Sequence, residues 1–193
     1  MKQSDVIQFF DRCALDWDSH LERNEAVISR ILYLCGIRQG VHVLDVACGT
    51  GVLFPDYLAR GVGSLTAVDI SPRMAAIAAR KFPEARVLCG DAQTLDFGRK
   101  FDAVMVYNAF PHFPEPEKLI ARLGSLLNKG GRLSVAHGMS MEALAEHHSG
   151  SAKAVSIDLL PPEKLAEIFA QVCTVDVKIA DSSMYMVSGV KKF

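Results

Sequence analysis

The sequence predicts an α/β protein in which mostly parallel strands alternate with helices that cover both faces of one sheet. Three observations carry this. Val41, Val43, Leu44 and Val46 form a short apolar, β-branched run, as a buried parallel strand requires. That run ends at Ala47-Cys48-Gly49-Thr50-Gly51, with a helical pattern behind it. Ser64 to Asp69 is a second such run, ending in an acid, and Ser71-Pro72 behind it is a helix start with Ser as N-cap and Pro at N1. Arg86 to Cys89 and Phe101 to Tyr107 repeat the strand pattern, and a helical pattern follows from Glu115. Half of the 193 residues are apolar, enough for one good core, so a single domain over residues 1–193 is expected.

The elements follow in order. Ser4 is placed to cap a first helix, with Val6, Phe10, Cys13, Ala14 and Trp17 at helical spacing. Asp16-Trp17-Asp18 ends it. A second helix is expected from about Glu22 to Cys35, with Val27, Ile28, Ile31, Leu32 and Leu34 as its face and Gly36 as the C′ residue. The helix after the glycine turn runs through Tyr57 to Arg60; Pro55 falls in its first turn, where a missing N–H costs little. The helix opened by Ser71 runs through Met74, Ile77 and Ala78 to Phe82. The helix from Glu115 to Lys129 turns Leu119, Ile120, Leu123, Leu126 and Leu127 inward, and Gly130-Gly131 closes it before a fifth strand, Leu133 to Ala136. Ser140 is placed to cap a short helix, Met141 to His148, and a polar link over 149–156 follows. Glu163 to Gln171 reads as a helix, and Val172 to Ala180 and Met184 to Val190 read as the closing strands.

Composition narrows the function. The net charge is −1 and no basic stripe appears, so nucleic-acid binding has no electrostatic footprint. Met1 to Asp11 is polar and acidic, unlike a signal or transit peptide, and no apolar run approaches a membrane span. The five cysteines, Cys13, Cys35, Cys48, Cys89 and Cys173, form no Cys-x-x-Cys pair, and their odd number argues against a disulfide framework. A reduced, cytoplasmic protein is the simple expectation.

The glycine turn is where a ligand is expected. Strand, glycine turn and helix together bring backbone N–H groups up to a ligand, and Gly49 and Gly51 remove the Cβ atoms that block close approach. A dinucleotide-dependent oxidoreductase would want a third glycine where Phe54 stands, and a phosphate-binding loop would want Gly-Lys-Ser/Thr. Asp45-x-x-x-Gly49-x-Gly51 instead resembles the first motif of class I S-adenosylmethionine (SAM) methyltransferases. Asp69 lies 18 residues after Gly51 at the end of the neighbouring strand, where a carboxylate can accept both hydroxyls of a ribose. Gly90-Asp91-Ala92 resembles that family's adenine-binding turn, and Lys129-Gly130-Gly131 its Pro-Gly-Gly turn, with Lys in place of Pro.

The resemblance spans nearly the whole chain. Its nearest flavour is the small-molecule group similar to ubiquinone/menaquinone-type enzymes, which share the Phe9/Phe10-Asp11 opening and Trp17-Asp18. It implies a Rossmann-like seven-stranded sheet, mostly parallel with an antiparallel last strand, and a monomer or homodimer that methylates a small-molecule acceptor at O, N, S or C. SAM would be the cofactor and S-adenosylhomocysteine the product. The implied cofactor contacts are Asp45, Ala47, Gly49, Thr50, Gly51, Asp69, Ile70, Met74, Gly90, Asp91, Ala92 and Asn108. Residues 1–36 would form a helical lid, with Phe9, Phe10 and Trp17 serving as lid aromatics or as plain core, and 138–160 a substrate-side insertion. Asn108 is followed by Ala109-Phe110-Pro111, where nucleic-acid amino-methyltransferases carry Pro-Pro-Tyr/Phe. A binding module without transfer activity stays open.

Open parallel sheets bind ligands at the carboxyl ends of their strands. His112 follows the fourth strand, His137 ends the fifth, and His148 shares a helical face with Met141, Leu144 and Ala145. The three are expected to converge beside the transferred methyl, as a general base or as ligands of a divalent metal. Their spacing in sequence has no metal-ligand pattern.

Overall fold

A computed structural model describes residues 1–147 and 151–192. The strands are β1 (His42–Val46), β2 (Ser64–Asp69), β3 (Arg86–Cys89), β4 (Phe101–Tyr107), β5 (Leu127–His137), β6 (Cys173–Ala180) and β7 (Tyr185–Lys191). They form one sheet in the order β3-β2-β1-β4-β5-β7-β6, parallel throughout except for β7, which runs antiparallel between β5 and β6. The seven-stranded α/β architecture expected from the sequence is the one observed. The order reverses at β1 and β4, which lie side by side, so a crevice opens at their carboxyl ends.

Side-chain alternation buries both faces of the sheet. Leu44, Val46, Val104, Val106, Leu133 and Val135 point to one face, where α5 (Pro116–Ser125) and α7 (Pro162–Phe169) cover them with Leu119, Leu123, Leu165 and Phe169. Val43, Ala103, Met105 and Ala136 point to the other, under Ile28, Ile31 and Leu32 of α2 (Glu25–Leu34) and Phe54 and Tyr57 of α3 (Phe54–Ala59). Near-continuous apolar strands follow from this two-sided burial. Among the described residues no helix is long and apolar enough to cross a membrane.

Three local expectations are corrected. Ser4 lies inside α1 (Gln3–Cys13); Lys2 takes the N-cap position without a side-chain bond, because its backbone is already extended there. α2 starts after Asn24, whose side chain accepts the Val27 N–H at 3.2 Å, a better cap than anything near Glu22. α5 stops at Ser125, because Leu127 enters β5 opposite Phe101. Gly130-Gly131 therefore sits in a bulge of β5 instead of closing a helix. By contrast, Ser71 caps α4 (Pro72–Lys81) as expected and accepts the Met74 N–H at 3.2 Å. The short helix α6 (Met141–His147) follows β5, and 3-10 turns occupy Trp17–His20, Phe110–His112 and Ser151–Val155.

Candidate active site

A cavity of about 380 Å³ runs along the carboxyl ends of β3, β2, β1 and β4. From β3 it takes Gly90 to Gln93, from β2 Val68 to Ile70 with Met74 of α4, and from the glycine turn Ala47 to Gly49 with Val52. From β4 it takes Tyr107 to Ala109 and His112 to Glu115. The N-terminal segment closes the remaining side with Met1, Gln3, Val6, Phe10, Trp17 and Leu21.

Among the described residues two non-glycine residues adopt left-handed backbone, Ala47 (φ 55°) and Asn108 (φ 52°). They end the adjacent strands β1 and β4, and both line the cavity. Such backbone costs about 1–3 kcal/mol and persists where the surroundings enforce it, which is typical of functional sites. Around Asn108 the enforcement is visible: its N–H donates to Ala136 O (2.9 Å) and its Oδ1 accepts from the Gly138 N–H (2.9 Å).

Asp69 is fixed from behind. Its Oδ2 accepts from the Gly49 N–H and its Oδ1 from the Ser71 N–H, both at 2.8 Å. Each oxygen keeps a further lone pair for a ligand hydroxyl. Burial pushes its pKa up to about 6; the Ser71 and Gly49 donors oppose this and Asp11 adds to it. Asp91 accepts from the Gln93 N–H and from Gln3 Nε2 on α1, each at 2.9 Å. Asp45 does not reach the cavity. It is buried in β1, and burial pushes it up to about 8, opposed by the Tyr57 hydroxyl and reinforced by Asp69.

Two other expected contacts face elsewhere. A Cβ on Gly51 (φ 88°) would stand 2.9 Å from the Phe54 ring and 3.0 Å from that of Phe82, so this glycine serves packing and turn geometry. Thr50 is buried and donates to Asp18 Oδ1 at 2.5 Å, with Lys81 Nζ on the other oxygen at 2.6 Å. Asp11 binds the start of α4 through the Ser71 hydroxyl and the Arg73 N–H. The N-terminal segment is thereby tied to both ends of α4.

Of the three histidines, the cavity receives His112. Its Nδ1 lies 2.8 Å from Val155 O, and its ring packs edge-on against Phe10 with centroids 4.8 Å apart. His137 is buried in β5, paired with Tyr185 of β7 (ring centroids 5.8 Å), and is not among the lining residues. Strand parity explains this: His137 shares its face with Leu133 and Val135. His148 lies outside the described residues. Among the described residues no group of three or more His, Cys, Asp or Glu side chains could hold a metal ion.

Sequence reasoning missed Tyr107, Gln3 and Leu21 as wall residues. Tyr107 reads as an ordinary strand aromatic, yet its hydroxyl lies over Gly138, where a Cβ would stand 2.3 Å away. Among the described lining residues there is no lysine or arginine, whereas Asp69, Asp91 and Glu115 are acidic.

Residues 43–131 match the methyltransferase domain family. The chain is 35% identical over 102 residues to the demethylmenaquinone methyltransferase of Renibacterium salmoninarum, covering 52% of this chain and 43% of that protein. It is 33% identical over 100 residues to a ubiquinone biosynthesis O-methyltransferase of Xanthomonas axonopodis, covering 49% and 41%. The chain therefore spans less than half the length of these relatives. Among solved structures, the N-methyltransferase NodS of Bradyrhizobium japonicum, in complex with S-adenosylhomocysteine, superposes with a TM-score of 0.77 at 15% identity, covering 97% of this chain and 99% of that one.

Proposed function

We propose that this chain, a class I methyltransferase in its domain and its fold, binds SAM along the carboxyl rim and methylates a small, neutral aromatic hydroxyl with His112 as general base. The observation that carries the reading is the order of groups in one cavity. Asp91 stands at the end of β3, Asp69 at β2, the glycine turn at β1 and His112 beyond β4. An adenine, a ribose, an amino-acid end and an acceptor fit those positions in that sequence. Asp69 suits the ribose because it lines the cavity with both oxygens already braced by backbone donors.

When bound, SAM supplies an electrophilic methyl on a sulfonium with a good leaving group. The chain then has two tasks. The first is alignment, which supplies up to about 7–11 kcal/mol in favourable cases. Asp69 and Asp91 fix one end of the cavity, and residues 1–36 act as the lid that excludes water. The second is the proton. A carbonyl can only accept, so Val155 O holds a proton on His112 Nδ1 and leaves Nε2 as the basic nitrogen. Nε2 would take the proton that the acceptor hydroxyl gives up, while SAM would supply the methyl and leave as S-adenosylhomocysteine. The substrate-side stretch 138–160 contributes through that Val155 carbonyl.

The acceptor class follows from the walls. Phe10, Tyr107, Phe113 and Pro114 suit a flat apolar ring, and the lack of lysine and arginine disfavours a carboxylate or phosphate. The O-methyltransferase name of the Xanthomonas relative supports a hydroxyl acceptor. The test is calorimetric binding of SAM and S-adenosylhomocysteine, followed by turnover of labelled SAM with small phenols and quinols against thiols, amines and carboxylates. Turnover with phenols or quinols is expected; tight SAM binding with no turnover on any class would favour a binding module instead.

A further inference from the structure

The amino-acid end of SAM carries a carboxylate, and the cavity holds few donors to receive it. Among the described lining residues there is no lysine or arginine. Three backbone donors of the glycine turn are engaged internally. The Cys48 N–H donates to Val68 O (3.1 Å), the Gly49 N–H to Asp69 Oδ2 (2.8 Å) and the Gly51 N–H to Cys48 O (3.0 Å). A side-chain donor facing the turn would add to the few that remain.

Trp17 stands in that place. It lines the cavity, and its Nε1 is 4.0 Å from where a Cβ on Gly49 would sit. Among the described residues its indole N–H has no hydrogen-bond partner. The neighbouring Asp18 holds it in position by accepting from Thr50 within the turn and from Lys81 at the end of α4. The Phe10 ring packs against its edge, with centroids 5.8 Å apart. An indole is a donor only, so it suits an anion, and its apolar body suits the wall of a closed cavity.

We propose that the Trp17 indole N–H donates to the carboxylate at the amino-acid end of the cofactor, so that the N-terminal segment completes the cofactor site as well as covering it. This rests on the SAM reading above. A packing role for the ring alone makes a different prediction, because it ignores which ligand carries a carboxylate.

The experiment compares three ligands: SAM, S-adenosylhomocysteine and 5′-methylthioadenosine, which has the adenosine but no amino-acid end. Trp17→Phe keeps a ring and removes the donor. It is expected to weaken SAM and S-adenosylhomocysteine about tenfold or more, as loss of a hydrogen bond to a charged group does, and to leave 5′-methylthioadenosine within about twofold. An equal loss for all three ligands, or no loss for any, overturns the proposal. The chain has one tryptophan, so its indole N–H gives one assignable NMR resonance in the unmodified protein. That resonance is expected to move downfield with SAM and S-adenosylhomocysteine but not with 5′-methylthioadenosine; the same shift with all three ligands overturns the proposal even if the variant does not fold. Failure of the unmodified chain to bind any of the three takes down the SAM reading itself, and this proposal with it.

Discussion

The two halves of the carboxyl rim are built differently. Under β3, β2 and β1 the polar groups come from the strand ends themselves and are braced by local backbone: Asp69 by Gly49 and Ser71, Asp91 by Gln93. Beyond β4 the groups are borrowed. His112 is oriented by Val155, 43 residues away, and walled by Phe10 from the start of the chain. A half built mainly on the ends of adjacent strands presents one ligand in one way. A half assembled from distant segments can change its acceptor while the fold stays the same.

That contrast can be broken most sharply at His112. His112→Ala is expected to lower turnover about 10²–10⁴-fold, the usual range for a general base, while SAM affinity stays within about twofold. Equal losses in turnover and affinity would place His112 in the cofactor half. Asp69→Ala should do the reverse and weaken SAM by about 10²–10⁴-fold, since two charge-assisted bonds at about 1.5–3 kcal/mol each are removed. It should also lower the unfolding midpoint, because the buried Gly49 and Ser71 N–H groups lose their acceptor. Unchanged SAM affinity in a folded variant would remove Asp69 from the ligand.

Gly51→Ala sharpens the comparison within the cofactor half. Its new Cβ meets Phe54 at 2.9 Å and requires φ near 88°. A loss of about 1–3 kcal/mol in denaturant stability is expected, with SAM affinity close to wild type once the variant is folded. Selective loss of affinity at unchanged stability would mean that this glycine does approach the ligand.

The remaining effect is electrostatic. In the folded chain Asp69 titrates near 6 and Asp45 near 8, both above the ordinary carboxylate value of 3.8. Between about pH 4 and 8 the folded state therefore holds protons that the unfolded chain has released. The stabilisation these groups give is full below about pH 4 and is lost as pH rises through 6 and then 8. Urea midpoints of the unliganded protein should fall over this window, at up to about 1.4 kcal/mol per pH unit for each titrating group. Asp45→Asn should flatten the upper part of the curve. The carboxyls held low, such as Asp102 beside His42 N–H and Asn128, act in the opposite sense below pH 4 and do not mask it.

The same contrast governs what the sequence reveals. Gly49, Asp69 and Asp91 are legible as cavity residues because strand-end position and spacing place them, and Ser71-Pro72 marks its helix through chemistry that needs no partner, whereas Asp45 of the same motif is buried in β1 and does not line the cavity. Gly51 is legible as a turn residue but not in its direction, because only packing puts Phe54 and Phe82 in the space of its Cβ. His137 and His112 look alike in sequence. Strand parity sends the first into the sheet's interior, and the 3-10 turn Phe110–His112 brings the second to the cavity. Tyr107 and Val155 leave no local signal, since their roles depend on what folds against them.

The position of β7 has a consequence for biosynthesis. β6 pairs with no strand but β7, and β7 reaches the sheet only by lying between β5 and β6. A growing chain therefore exposes β6 before its single partner exists. The right-hand third of the sheet closes only when Lys191 has left the ribosome, although the cofactor half, whose strands end at Tyr107, can pair long before. Translation thus delivers every described residue that lines the cavity before the last two strands of the sheet exist.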